Sequence, residues 1–145
     1  MKLNFELVPD GCWYSNLRSI LKKSDWDYIR KTAYAEADGK CMICGRPAKR
    51  LEAHEVWSYD ENNCIQKLKK VIAVCHDCHS VIHIGRTGLV GDIERAEKHY
   101  LRVNKCTYAD FRRELGLANE THRRLNKVSE WKIDLDYLKR YEKRD

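Results

Sequence analysis

The sequence predicts an α+β fold: a small core of two strands and a helix, stapled by a metal site of four cysteines and flanked by helical segments. Three observations support this prediction. Two Cys-x-x-Cys motifs, Cys41 to Cys44 and Cys75 to Cys78, stand well apart in the chain. Leu51 to Trp57 and the apolar run Val71 to Val74 have the composition of short strands. His76 to Ile84 follows with the pattern of a helix that ends at Gly85.

The other elements follow in chain order. Residues 1–23 lack a periodic pattern and are expected to be irregular. The first helix is expected to begin at Ser24 and to be ended by Gly39. Its apolar positions recur at helical spacing. Between the strands, residues 58–63 are expected to form a polar loop and residues 65–70 a short helix or turn. Downstream we expect a helix from Asp92 to about Val103, one capped by Thr107 and Asp110, a strand over 131–135, and a terminal helix from Asp136 to Lys143.

The length of 145 residues predicts a single domain. Its parts are an N-terminal segment and helix (1–39), the core (40–86) and a C-terminal helical extension (87–145). No stretch approaches the roughly 18–20 apolar residues that a membrane span requires. The beginning of the sequence also lacks the apolar region of a secretory signal. We therefore expect a cytoplasmic protein with no membrane partner.

Reducing conditions decide how the seven cysteines are interpreted, because they disfavour disulfides and favour metal ligation. Cys41, Cys44, Cys75 and Cys78 supply the four thiolates of a closed tetrahedral site, which predicts a structural Zn²⁺ ion. Cys75-x-x-Cys78-His79 is also the local signature of covalent haem attachment. Haem attachment implies export of the protein and does not explain the first Cys-x-x-Cys motif, Cys41 to Cys44. A thioredoxin-like redox pair lacks its βαβ context.

Three histidines near the two Cys-x-x-Cys motifs predict a second, catalytic metal site. His79 and His83 stand at i and i+4 on the predicted helix, so both rings project from one face. His54 lies on the preceding strand. A lone histidine is usually a satisfied structural residue. Three histidines in a short span, two of them at ligand spacing, are more typical of a metal centre.

Together these residues resemble the HNH (ββα-metal) endonucleases, in the subgroup whose core binds zinc through four cysteines. The resemblance covers roughly residues 40–86 and rests on Cys41-x-x-Cys44, Glu52-Ala53-His54-Glu55 and Cys75-x-x-Cys78-His79-x-x-x-His83. The last two histidines are similar to the metal-binding pair of the colicin-type DNases. The resemblance implies a ββα-metal core that hydrolyses phosphodiester bonds in DNA and leaves 5′-phosphate and 3′-hydroxyl ends. The expected partner is double-stranded DNA.

The resemblance also implies a role for each histidine. His54 is expected to be the general base, since a neutral imidazole can take a proton from water near pH 7. His79 and His83 are expected to hold a divalent cation such as Mg²⁺, Mn²⁺ or Ni²⁺ against the scissile phosphate. The zinc on the four cysteines has no open position and fixes the geometry.

Two positions depart from the family pattern. Ala53 stands where the family has a metal-binding Asp or His, so either Glu52 or Glu55 substitutes, or the cation has two protein ligands plus waters. A different register, with His54 as a ligand and Glu55 as the catalytic base, stays open. Lys70 stands near the position of the family's middle asparagine.

The net charge of +6 fits a polyanionic partner such as nucleic acid, although a solvated basic surface explains the same excess. The residues predicted to contact DNA are Lys67, Lys69, Lys70, Arg86, Arg123 and Arg124. Two other functions stay open: a non-catalytic zinc module that binds nucleic acid, and a zinc domain that binds proteins. A homodimer also stays open.

Overall fold

The computed structural model describes residues 2–142 and has a mixed α+β fold, which confirms the predicted class. One three-stranded sheet has the order β1-β2-β3, with β1 and β2 antiparallel and β2 and β3 parallel. The strands are β1 (Glu52–Asp60), β2 (Ile65–Val74) and β3 (Lys132–Asp134). The helices are α1 (Leu17–Ile20), α2 (Lys23–Ala37), α3 (His76–Ile82), α4 (Ile84–Val90), α5 (Ile93–Asn104) and α6 (Tyr108–Leu125). Short 3₁₀ helices cover Asp10–Cys12 and Asp136–Tyr141. The predicted end of the terminal helix at Lys143 lies outside the described residues.

Strands β1 and β2 form a hairpin that is longer than the sequence predicts. The pairing is continuous apart from one register shift after Val56. Residues 65–70, predicted as a helix or turn, belong to β2, so that prediction is wrong. Leu68 is buried while Lys67 and Lys69 are exposed, which is the alternation of a strand with one buried face. The loop predicted over 58–63 is correspondingly a turn over 61–64.

Helix α2 covers one face of the sheet. It begins at Lys23, one position before the predicted start, and ends before Gly39, whose φ of 77° is left-handed. Its apolar face packs on β2, which presents a matching row of apolar side chains. The buried residues of this layer are Leu17, Trp26, Ile29, Ala33, Leu68, Val71 and Ala73.

The N-terminal segment is anchored on a second core formed around α3, α5 and α6. Leu3 is fully buried, and its backbone exchanges two hydrogen bonds of 2.9 Å with the Asn104 side chain. Phe5 stacks on Tyr100 with ring centroids 4.8 Å apart. Residues 2–9 lack helix and strand as predicted, whereas the rest of the stretch predicted to be irregular contains the 3₁₀ helix Asp10–Cys12 and α1. The side chains of Leu3 and Phe5 fix the position of residues 2–9 although these residues form no regular element.

The helix predicted from His76 to Ile84 is broken at His83. Helix α3 ends at Ile82, His83 takes φ −96° and ψ 50°, and α4 continues through Gly85. The hydroxyl of Thr87 donates to the Ser80 carbonyl at 2.6 Å and so satisfies an acceptor that the break frees. Gly85 therefore lies inside a helix rather than at its end, contrary to the prediction.

Helix α6 begins with the predicted cap. The Thr107 hydroxyl accepts from the Asp110 N–H at 3.2 Å, and the Asp110 carboxylate accepts from the Thr107 N–H at 3.0 Å. The helix passes through Gly116 without interruption. Although α6 is the longest helix, neither it nor any other helix within residues 2–142 is long and apolar enough to cross a membrane.

Candidate metal centres

Four cysteines meet between the first knuckle and the start of α3. The Sγ atoms of Cys41, Cys44, Cys75 and Cys78 all lie within 4.8 Å of one another. The N–H groups of Ile43 and Cys44 donate to Cys41 Sγ at 3.4 and 3.5 Å. The Cys78 N–H donates to Cys75 Sγ at 3.4 Å in the same way. In each Cys-x-x-Cys motif, backbone N–H groups therefore donate to the sulfur of the first cysteine, which favours its thiolate form.

The sulfur positions fit a tetrahedral zinc ion. Zn–S bonds of about 2.3 Å at tetrahedral angles place sulfurs about 3.8 Å apart, and Cys44 Sγ lies 3.8 Å from Cys75 Sγ. Hydrogen bonds from Cys75 and Cys78 lower the pKa of Cys41, whereas the bond to Cys41 raises the pKa of Cys75 to about 11. The ionised form of one cysteine thus disfavours the ionised form of its neighbour. A divalent cation offsets this effect, because it stabilises every thiolate that it binds. The predicted cysteine cluster is therefore confirmed as a site that can hold a metal ion such as zinc.

A buried histidine that the sequence analysis did not single out supports this cluster. His99 is 1% exposed, and its Nε2 lies 3.1 Å from Cys78 Sγ. The Arg102 guanidinium lies 3.1 Å from His99 Nδ1. A guanidinium can only donate, so Nδ1 accepts and Nε2 carries the proton that is donated to the sulfur. Burial lowers the pKa of His99, which keeps the ring in this neutral form.

Phenylalanine in place of His99 is expected to weaken zinc binding about 10- to 100-fold, because the Cys78 thiolate loses its hydrogen-bond donor. Competition with a chromophoric chelator measures the affinity. His99→Gln keeps a side-chain N–H and is expected to lose less. His122→Phe is the matched control, since His122 lies on α6 and contacts the Val8 carbonyl instead. Wild-type affinity in His99→Phe would contradict the role.

The three predicted histidines converge between β1 and α3. One ring nitrogen each of His54, His79 and His83 lies within 4.8 Å of the other two. The His54 ring centroid is 5.4 Å from each of the other rings, which are 4.8 Å from each other. His54 is 3% exposed, whereas His79 and His83 are half-buried. These separations allow the rings to share one metal ion.

Two carboxylates orient two of these rings. Glu52 lies on the same face of β1 as His54 and accepts from Nδ1 of His79 at 2.7 Å and of His76 at 2.9 Å. Glu6 Oε2 lies 2.5 Å from His54 Nε2. A carboxylate on one ring nitrogen is the usual outer partner of a histidine whose other nitrogen binds a metal.

Burial keeps the rings of His79 and His83 neutral. It lowers the pKa of His83 to about 3, and the neighbouring rings of His79 and His54 contribute in the same direction. Burial also lowers the pKa of His79, although the hydrogen bond with Glu52 opposes that shift. A neutral imidazole has the free lone pair that metal binding requires.

Glu55 lies on the opposite face of β1 from His54, because neighbouring strand residues alternate. Its carboxylate accepts from the Leu17 N–H at 2.8 Å and from the Trp57 indole at 3.2 Å. Burial raises its pKa. Glu55 thereby satisfies a free donor at the start of α1. Among the described residues 2–142, Glu55 is not a member of the histidine cluster. Its position favours a structural role over the predicted catalytic one.

A cleft of about 1510 Å³ opens beside the histidine cluster. The three histidines line it, together with Glu6, Glu52, Glu55, Arg18, Arg30, Arg50 and Arg86. Arg86 is exposed in the first turn of α4, which begins directly after His83. The other basic residues predicted to contact DNA do not line this cleft: Lys67, Lys69, Lys70, Arg123 and Arg124. Arg124 is engaged in an ion pair of 2.7 Å with Glu61.

No family model, curated protein or solved structure matches the chain. The functional assignment therefore depends on the geometry of the two metal centres and of the cleft.

Proposed function

We propose that the chain is a metal-dependent endonuclease of the HNH (ββα-metal) kind, which hydrolyses phosphodiester bonds in double-stranded DNA. The observation that carries the proposal is the convergence of His54, His79 and His83 in the wall of an arginine-lined cleft. The order of β1, β2 and α3 agrees with the strand, strand and helix of that family's core. The cysteine cluster at the start of α3 agrees with its zinc-binding subgroup.

Each histidine has a role in this proposal. His79 and His83 bind a divalent cation such as Mg²⁺, Mn²⁺ or Ni²⁺ through unprotonated ring nitrogens. The cation, when bound, supplies positive charge at the scissile phosphate and the departing 3′ oxygen. His54 accepts the proton of the attacking water. Glu52 holds the His79 ring by accepting its Nδ1–H.

Exposed arginines in the cleft wall support a polyanionic substrate. Arg18, Arg50 and Arg86 are exposed, and a guanidinium can bind a phosphate through two parallel hydrogen bonds. Arg30 is already paired with Asp27 at 2.9 Å and has less to offer. The exposed guanidinium groups can therefore position a phosphate backbone beside the histidines.

Plasmid nicking tests the proposal directly. Zinc-loaded protein is expected to convert supercoiled plasmid to nicked or linear forms when Mg²⁺, Mn²⁺ or Ni²⁺ is added. The double variant His79→Ala/His83→Ala is expected to bind DNA without cutting it. If the wild-type protein binds DNA but never cuts with any of these cations, it is a non-catalytic zinc module. If it fails to bind even at low salt, where phosphate contacts are strongest, the protein-binding alternative replaces both.

Alanine in place of Arg86 is expected to weaken DNA binding at every sequence and to reduce the slope of log K against log salt by about 0.9, the loss of one phosphate contact. Fluorescence anisotropy across a salt series measures both. Arg123→Ala is the matched control, because Arg123 is exposed on α6 outside the cleft. If the slope of log K against log salt changes more in Arg123→Ala than in Arg86→Ala, DNA binds along α6 and not in the cleft.

A further inference from the structure

The N-terminal segment contributes a carboxylate to the histidine cluster. Glu6 Oε2 lies 2.5 Å from His54 Nε2, within hydrogen-bond distance. The Glu6 side chain is 32% exposed and lines the cleft, whereas the His54 side chain is 3% exposed. The contact therefore joins a nearly buried ring to a group that is open to the cleft.

Glu6 is fixed in place independently of His54. Its own N–H donates to the Ile82 carbonyl at 2.8 Å, at the end of α3. On the preceding side, Phe5 stacks on Tyr100 and packs edge-on against Phe111 at 5.4 Å. Because the backbone is held at Glu6 and the side chain before it is packed in the core, the carboxylate is presented to the ring from an anchored backbone.

The chemistry of the contact fixes the tautomer of His54. An ionised carboxylate has only acceptors, so the ring nitrogen that faces it must carry the proton. In the neutral ring the proton is then on Nε2, and Nδ1 has the free lone pair. Glu52 does the reverse for His79, because it accepts from Nδ1 and leaves Nε2 free. Two carboxylates thus set two adjacent rings in opposite tautomers.

We propose that Glu6 is a positioning residue that fixes His54 as its Nε2–H tautomer, so that Nδ1 is the nitrogen that accepts the proton from water. The catalytic half of this inference rests on the proposed function. The tautomer itself does not, because it follows from the contact alone. The N-terminal segment is then a functional part of the site, although it lies outside the strands and helix of the core.

Long-range ¹H–¹⁵N NMR of the histidine rings tests the tautomer without any nucleic acid. The spectra are recorded on zinc-loaded full-length protein at about pH 8.5, above the ordinary titration range of histidine. Wild-type His54 is expected to show a protonated Nε2 and an unprotonated Nδ1. Glu6→Gln introduces an amide that both donates and accepts, and it is expected to give a mixture of tautomers. Glu120→Gln is the control, since Glu120 is exposed on α6.

Nicking kinetics test the catalytic half. Glu6→Gln is expected to lower kcat about 10- to 100-fold with KM unchanged, because the carboxylate orients the base and does not bind DNA. A wild-type ring protonated on Nδ1, or an unchanged tautomer in Glu6→Gln, would overturn the inference even if the protein cuts DNA. A wild-type kcat in Glu6→Gln would overturn its catalytic half. If the wild-type protein does not cut DNA while the tautomer shifts as expected, the proposed function fails and the positioning by Glu6 stands.

Discussion

Alanine in place of His54 is expected to lower the rate of plasmid nicking about 100- to 10,000-fold, the usual contribution of a general acid or base. The variant removes the ring that we propose takes the proton from water, while His79 and His83, the proposed ligands of the cation, remain. Zinc content is expected to stay at the wild-type level, because the four cysteines form a separate cluster. Single-turnover nicking with saturating protein measures the rate, and elemental analysis measures the zinc.

His76→Ala is the control for this experiment. His76 lies on α3 beside the cluster, yet its side chain is 76% exposed and it is not a member of the cluster. We expect this variant to cut DNA at nearly the wild-type rate. Wild-type nicking by His54→Ala would exclude His54 as the base. If His54→Ala weakens cation binding as strongly as His79→Ala does, His54 is a third ligand, and the base must be sought elsewhere.

Serine in place of Cys78 is expected to abolish zinc binding and to unfold the core. Binding of structural zinc is worth on the order of 10 kcal/mol in zinc-finger peptides. That is comparable to the whole free energy of unfolding of a small domain, about 5–15 kcal/mol. Cys78 is fully buried at the start of α3, so the defect falls where the helix meets the hairpin. Zinc analysis and thermal unfolding followed by circular dichroism measure the two effects.

Cys64→Ser is the matched control for the zinc experiment. Cys64 is half-buried in the turn between β1 and β2. Among the described residues it belongs to neither the cysteine cluster nor the histidine cluster. We expect it to keep its zinc and to unfold within about 1 kcal/mol of the wild type, as substitutions away from critical features usually do. Cooperative unfolding at the wild-type temperature in Cys78→Ser would show that the cysteine cluster is dispensable for the fold.

The two clusters could be predicted because each contains a ligand pair at local, motif-like spacing. A Cys-x-x-Cys knuckle brings its sulfurs together through its own tight turn, as the bonds to Cys41 Sγ show. His79 and His83 share a face because a helix repeats every 3.6 residues. The structure accordingly brings together the four cysteines and the three histidines that the sequence indicates.

The supporting residues could not be predicted, because each is a single residue outside any motif that marks metal ligands. Glu6 is 48 positions from His54, and His99 is 21 positions from Cys78. No periodicity relates such pairs, since only the packed fold brings them together. The signal available for His99 was a histidine on the apolar face of a helix, next to Tyr100.

The strand β2 was missed over residues 65–70 for a different reason. Val56 pairs with Lys70 and Trp57 with Leu68, so Lys69 has no partner at the register shift. Lys69 and Lys70 are consequently both exposed, and this interrupts the alternation that marks a strand. A bulge of this kind conceals a strand from any analysis that depends on a period of two.

Helix α3 has only 7 residues, yet two residues of the cysteine cluster lie at its start, and histidines of the other cluster lie in its last turn and just beyond its end. Demetallation of the sulfur site would therefore also disorganise the imidazoles, however much magnesium were present. A strong chelator would inactivate such an enzyme through its scaffold, and magnesium alone would not reverse the loss. The order in which the two ions are restored would then decide whether activity returns.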